Sequence, residues 1–468
     1  MRAEPRPNSG RRRLRVKFSV FNAMLYAGLN LRPARESLLK PINLTPDHRR
    51  LIASLGFNVI AKLPGIASVF IVLPLVSEAL GPSTYGELLS ALALGSLFLL
   101  PFGGINAVGR RLLAASVGAH NEKEQANIFV TTIAFVTAAA VLAAAVMIAI
   151  TGRSWTAPIF ILVSVLPILS GFLNTFDNLR ASYNEHYMTA VFQLIFQVVI
   201  YAAVYWIGLP QGGIILASLA LLAPYGLASI CTLVALLLQR PFLLRGKIEG
   251  LRPMVMPAIG VIMADGALGM LLSFSVYYLN LAGDPQMAAW VGTFSRLFSS
   301  FISPVLLIMF PLTSYISIRW GQMEQPRKLF LHRLFVVTGL VYGVVVGCAM
   351  AFAGPLYIDR MFSLTVKGDS LDVFALSLFM GAVVAQKAYT LLLYAVSEAK
   401  FISFGTALVA SAGALAAAAS LFWLPPARSV DVLFIVTGLG LPVLLLVGGH
   451  RQRRGLKQTP PTALSQPG

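Results

Sequence analysis

The sequence predicts an all-α integral membrane protein of about twelve transmembrane helices in two groups of six, with both ends on the cytoplasmic side. Three observations predict it: the composition, the recurrence of long apolar runs, and the one-sided placement of the basic residues. Of the 468 residues, 57% are hydrophobic and 12% charged, and the mean hydropathy is +0.78. A soluble domain carries roughly 25% charged residues, so water is not the main solvent of this chain.

A helix of ~20 apolar residues crosses the ~30 Å hydrocarbon core. The first group of such segments runs Leu51 to Val76, Leu88 to Val108, Ile128 to Ile150, Pro158 to Phe176, Met188 to Leu209 and Gly213 to Leu238. The second runs Met254 to Leu279, Met287 to Ile316, Leu334 to Phe352, Leu371 to Val396, Phe401 to Leu424 and a short last one, Val432 to Val447. Runs this continuous are not the alternating strands of an outer-membrane barrel, so the backbone satisfies itself as helix. The expected organisation is a basic cytoplasmic segment over 1–50, a first six-helix group over 51–239, a linker over 240–253, a second group over 254–449, and a cytoplasmic tail over 450–468.

The net charge of +18 raises the question of nucleic acid, and the placement of Lys and Arg answers it. With the start inside, 29 basic residues fall on the cytoplasmic side and only Arg153, Arg360, Lys367 and Arg428 on the other. That is the positive-inside bias of a multi-pass protein, and nucleic acid is not needed to explain it. Cys231 and Cys348 lie in different segments without metal-type spacing and are read as small core residues. The stretch Phe18 to Leu31 is too short and polar to span. It is read as a basic amphipathic segment lying on anionic lipid, as a disordered tail, or as the product of a start codon placed upstream of Met24; Thr459 to Gly468 is expected to be disordered.

Loops between segments are short, and the sequence holds no phosphate-binding Gly-Lys-Ser/Thr loop, no Asp-x-Asp pair and no His within an expected span. An enzyme, and a cofactor with it, therefore has little support. The halves show a weak repeat: Lys62 precedes Gly81-Pro82 much as Asp265 precedes Gly283-Asp284-Pro285, and polar linkers recur around Glu185 and Glu398. Two related halves with a site between them are a common transporter plan. Helix breakers cluster at Pro64-Gly65, Pro101 with Gly103 and Gly104, Pro167, Pro224, Pro257 and Pro304, as kinks or as ordinary small-residue packing.

Three stretches resemble a known family: EALGPSTYGELLSALALGSLFLLPFGGINAVGRRLLAA, DNLRASYNEHYMTAVFQLIFQVV and LLLYAVSEAKFISFGTALVASAGALAAA. The chain resembles the polysaccharide transporters (Wzx-type flippases) of the multidrug/oligosaccharidyl-lipid/polysaccharide (MOP) exporter superfamily over nearly all of Leu51 to Arg454. The resemblance implies two MATE-like six-helix bundles forming a V around a central cavity, and alternating access to it. It also implies a polyprenyl-diphosphate-linked oligosaccharide as cargo, a bacterial inner-membrane location, and polysaccharide polymerase or assembly proteins as partners.

An ionised side chain at mid-bilayer costs ~2.5 to 3.5 kcal/mol, so each such residue faces a cavity or a partner. Four qualify: Lys62, Asp265, Arg296 and Lys387, with a sum of +2 that favours an anion such as a diphosphate. Lys62 and Asp265 are read either as an ion pair pinning the halves together, or as a phosphate ligand and an H+ or Na+ site. Arg296 and Lys387 either line the cavity or snorkel to an interface. In the related lipid II flippases, cations of the first, second and eighth spans line the cavity. That adds weight to Arg296, whereas the second span here lacks an interior cation. Glu78 and Glu87 flank the first external turn, and Asn174, Asp177 and Asn178 end the fourth span, as solvated helix ends or gate residues. Gln193, Gln197 and Gln386 are expected to bond between helices or to meet sugar hydroxyls. The competing readings are a drug/cation antiporter of the same fold, against which the +2 interior argues, a polytopic glycan ligase or polymerase, and a non-transporting scaffold.

Overall fold

A computed structural model describes residues 46–154, 158–183, 185–208, 213–248, 252–320, 323–362, 364, 368–395 and 400–458. The chain divides into residues 1–49 and a compact unit, Arg50–Gly468. Of the first unit only the opening turn of a helix is described, so the expectations for the basic N-terminal segment lie outside the described residues, as does that for Thr459 to Gly468.

All regular structure among the described residues is helical. In order the helices are α1 (Pro46–Leu97), α2 (Leu100–Gly118), α3 (Glu122–Ser154), α4 (Pro158–Ala181), α5 (His186–Ile207) and α6 (Ile214–Gln239), closed by a 3-10 turn, Pro241–Arg245. Then come α7 (Arg252–Val261), a π-helical turn (Ile262–Gly266), α8 (Ala267–Leu281), α9 (Pro285–Arg319), α10 (Gln325–Met361), α11 (Ser370–Ala395), α12 (Lys400–Ser420) and α13 (Pro426–Gln458). Eight of the described helices are long and apolar enough to cross a membrane by length and composition. Their lipid-facing sides carry the exposed side chains Val141, Val344, Leu408 and Val443. Trp206 and Trp423 are almost fully exposed at the ends of α5 and α12 that the charge bias places outside, where an interfacial belt holds indole rings.

The helix boundaries follow from local chemistry. Within α1 the backbone leaves the helical region at Gly81 (φ 74, ψ 162), a conformation costly for any residue with a Cβ. Pro82 then opens the second segment, 82–97, with φ already set for a helix. That segment breaks again at 98–99, just before Pro101, and resumes as α2, so the predicted breaker is a real discontinuity. Asp284 caps α9 by accepting from the Met287 N–H at 2.9 Å, with Pro285 in the first turn.

Two expectations are corrected here. α10 starts at Gln325 beside Pro326, well before Leu334, so His332 does lie in the helix of an expected span. It is fully buried, and its Nδ1 is 3.1 Å from the Tyr389 hydroxyl of α11. Cys348 is exposed on the outer face of α10, because only the opposite face of that helix packs on α11; Cys231 is half-buried, and both are free thiols.

The halves meet at two levels. Toward the outside, segment 82–97 packs on α9: the Thr293 hydroxyl is 3.2 Å from the Tyr85 hydroxyl, and Gly86 lies against the Pro285 carbonyl. The Tyr357 hydroxyl of α10 donates to the Val69 carbonyl of α1. Further inward, α2 crosses α7 with Gly104 against the Ala258 carbonyl. Part of the linker is pinned to α3, since the Lys247 N–H donates to Asn127 Oδ1 at 2.8 Å.

Candidate functional site

Arg296 lies eleven residues into α9, roughly 16 Å along the helix at ~1.5 Å per residue. It therefore stands about two helical turns or more from the start of α9. Its side chain is half-buried. It acts electrostatically on Tyr85 of segment 82–97, Tyr201 of α5 and Tyr225 of α6. One cation of the second half thus reaches three helices of the first.

The tyrosines form a polar network. Tyr201 neighbours Ser68 of α1 and Tyr225, and Tyr225 neighbours the Gln197 amide of α5, whose oxygen and nitrogen have no hydrogen-bond partner among the described residues. Ser68 also donates to the Gly65 carbonyl at 2.7 Å. The lack of a side chain at Gly65 opens the corner: a Cβ there would stand 3.0 Å from the Tyr225 hydroxyl. Among the described residues, every group that shapes the electrostatics of Arg296 is a neutral phenol, none a carboxylate. Phenol dipoles solvate a cation without neutralising it.

The other expected residues are placed as follows. Lys62 lies in α1 and Asp265 in the π-helical turn; their side chains fall outside the described residues, and with them the ion-pair reading. Lys387 is half-buried on α11. Glu78 and Glu87 are exposed beside the outer turn, as solvated helix ends are. Asp177 departs from the solvated-end reading. It is only 3% exposed, and its Oδ2 accepts from the Ser229 hydroxyl at 2.8 Å and the Gln193 amide at 3.5 Å. The reason is tertiary: α5 and α6 close over the inner end of α4, which hydropathy alone leaves at the surface. Gln386 donates to the Thr406 hydroxyl of α12, the inter-helix role expected of it.

Two features escaped the sequence. Arg180, counted among the loop cations, is fully buried at the inner end of α4. Its guanidinium meets Glu185 at 3.3 Å and Gln239 Oε1 at 2.8 Å, while Arg240 holds the same carboxylate at 2.5 Å and stacks 4.0 Å over the Tyr183 ring. Burial pushes the Tyr183 hydroxyl up to about 12, partly opposed by the Arg240 charge. An arginine followed by a nearby Glu at a helix end was the available signal. The second feature is that Arg110 and Arg111 lie inside α2, which continues to Gly118, so the second span carries cations near its inner end.

No known family model matches the chain, and no curated protein matches it in sequence. Solved structures do. An inward-facing multidrug resistance MATE family transporter of the MOP superfamily aligns over 88% of this chain and 100% of its own, with TM-score 0.59 and 15% identity. Its outward-facing counterpart aligns over 88% and 97%, with TM-score 0.60 and 13% identity. A MOP superfamily transporter from Pyrococcus furiosus, described as having a binding pocket of reverse polarity that suggests a different function, aligns over 89% and 98%, with TM-score 0.63 and 13% identity. The all-helical, multi-pass membrane fold of this chain is that of the MATE transporters of the MOP superfamily.

Proposed function

We propose that the chain is a transporter that flips a polyprenyl-diphosphate-linked oligosaccharide from the inner to the outer leaflet of a bacterial inner membrane by alternating access. The observation that carries this is Arg296. A half-buried cation within the expected eighth span, acted on by three phenols, suits bidentate contact with a diphosphate, and opposes a cationic drug. The fold is compatible with alternation, since similar structures are described in inward-facing and outward-facing conformations. A neighbour whose pocket polarity is reversed supports pocket charge as a discriminator of cargo within this fold.

In this mechanism Lys62 and Lys387 supply further positive potential to the head group, and Asp265 takes the H+ or Na+ whose binding favours one state over the other. Asp177, buried among hydroxyl and amide groups, is a second carboxylate able to take a proton during the cycle. Glu78 sits where the outer gate would part. Polymerase or assembly proteins would take the cargo outside.

Deleting the gene is expected to make lipid-linked repeat units accumulate on the cytoplasmic side. Arg296→Ala should fail to restore surface glycan, and Arg296→Lys should restore it in part. Normal surface glycan without accumulated intermediate in the deletion strain excludes the proposal. A deletion strain whose only change is sensitivity to cationic drugs supports the antiporter instead.

A further inference from the structure

The polar corner between α1, α5 and α6 holds an amide that the described fold leaves unpaired. Gln197 of α5 is fully buried, and neither its amide oxygen nor its amide nitrogen has a hydrogen-bond partner among the described residues. Tyr225 neighbours it, Tyr201 neighbours Tyr225, and Ser68 neighbours Tyr201. A Cβ built on Gly65 of α1 would lie 3.0 Å from the Tyr225 hydroxyl, 3.3 Å from Gln197 Nε2 and 3.7 Å from Gln197 Oε1. The amide and the phenol are thus aimed at one spot, beside a residue without a side chain. Burying an amide without a partner costs stability, so a chain that keeps one keeps it for a partner the fold does not supply.

The chemistry of that partner follows from the amide. It presents an acceptor and a donor side by side, both unmet. An anion satisfies only the donor and a cation only the acceptor, whereas a pair of hydroxyl groups satisfies both at once. Tyr201 and Tyr225 are half-buried, so they keep accessible surface beside the amide, and a phenol offers an apolar ring face together with a polar tip. That combination suits a sugar ring, which has apolar faces and a hydroxylated rim. Arg296 acts electrostatically on the same two tyrosines, so the place that reads hydroxyls adjoins the cation. A neutral polyol joined to a phosphate matches both.

We propose that Gln197, with Tyr201, Tyr225 and Ser68 around it, binds adjacent hydroxyls of a neutral sugar whose phosphate is held by Arg296. On the flippase proposal, on which the identity of the cargo rests, this is the sugar attached directly to the diphosphate. An acidic sugar is disfavoured in the same place, because its carboxylate leaves the amide oxygen unmet. Access is by way of Gly65, which is half-buried: with no side chain in the way, a small displacement of α1 brings ligand hydroxyls within reach of the amide.

The test uses the full chain in phosphatidylcholine nanodiscs and a pair of probes, farnesyl diphosphate and the same lipid carrying glucose on its diphosphate. The wild type should bind the glucosylated lipid about tenfold or more tightly than the bare one. Gln197→Met should bring the affinity for the glucosylated lipid down to that for the bare lipid. It should also raise the melting temperature measured without either probe, because it removes an unpaired buried amide. Gly65→Ala, which fills the corner from α1, should reduce the preference as well, and Arg296→Ala should weaken both lipids. Equal binding of the two lipids by the wild type, a preference that survives in folded Gln197→Met protein, or a Gln197→Met protein that melts lower than the wild type overturns the assignment. The two proposals fail separately, with glucosyl phosphate as the soluble probe. If it displaces the glucosylated lipid through Gln197 while the deletion strain accumulates no lipid-linked intermediate, the sugar site stands and the flippase proposal falls. If intermediates accumulate but the wild type binds the two lipids alike, the flippase proposal stands and the sugar site falls.

Discussion

Gly86 gives the sharpest prediction, because its surroundings are backbone on both sides. A Cβ built there stands 2.0 Å from the Pro285 carbonyl oxygen and 2.9 Å from its carbon, where ordinary contact begins at 3.4 Å. Gly86→Ala therefore forces segment 82–97 and the start of α9 apart by about 1.4 Å, since no rotamer relieves a backbone clash. Overpacking of this kind costs about 1–3 kcal/mol in the closed arrangement. If the outer seam opens during transport, the open state escapes that cost, and its population rises by about 5- to 150-fold. The assay is outside-in labelling by an impermeant maleimide at Leu89→Cys, which faces Gly292 across the same seam, with Cys231 and Cys348 replaced by serine. Labelling should speed up at least severalfold in the Gly86→Ala background. Loss of thermal stability without faster labelling would show a seam that does not open. Unchanged stability together with unchanged labelling would refute the tight contact itself.

Other outcomes follow from the buried polar groups. Asp177→Ala leaves the Ser229 hydroxyl and Gln193 amide without their acceptor and should lower stability by about 1–3 kcal/mol, while Asp177→Asn should retain most of it, as read by thermal unfolding in detergent. Arg180→Met should cost less than the loss of a sole partner, because Arg240 still holds Glu185; a double-mutant cycle of Arg180→Met with Glu185→Gln should give a coupling of about 0.5–3 kcal/mol. At the outer end, the Arg428 guanidinium and the N–H groups of Asp372 and Leu371 hold the Asp369 carboxyl well below the usual carboxylate range. Its contribution is thus complete above the ordinary value of 3.8 and lost as pH falls toward the lowered one. Melting temperature measured downward from pH 4 should fall more steeply in the wild type than in Arg428→Ala.

The all-helical membrane class was legible in composition and charge placement, because a bilayer imposes one rule on every residue of a spanning segment and the rule is additive along the chain. The turn at Gly81-Pro82, the break before Pro101 and the start at Asp284-Pro285 were legible for a similar reason: each is set by residues adjacent in the chain. Arg296 also stood out from sequence, since a cation at that depth demands a partner or a cavity. Its partners did not. Tyr85, Tyr201 and Tyr225 come from three helices spread over 140 residues, and nothing in their local sequence marks them as neighbours.

Misplacements share one cause. Asp177 and Arg180 sit near a helix end, where hydropathy assigns solvent, but the closure of α5 and α6 over α4 buries both. Cys348 failed in the opposite direction, since an apolar segment does not say which face meets protein and which meets lipid. Sequence alone determined that an apolar chain has reason to cross a membrane repeatedly and which charges such a crossing cannot ignore, because both are costs paid residue by residue. Only the tertiary structure decided which charge meets which helix and where space is left between them, because contacts between segments hundreds of residues apart depend on packing that no local pattern records.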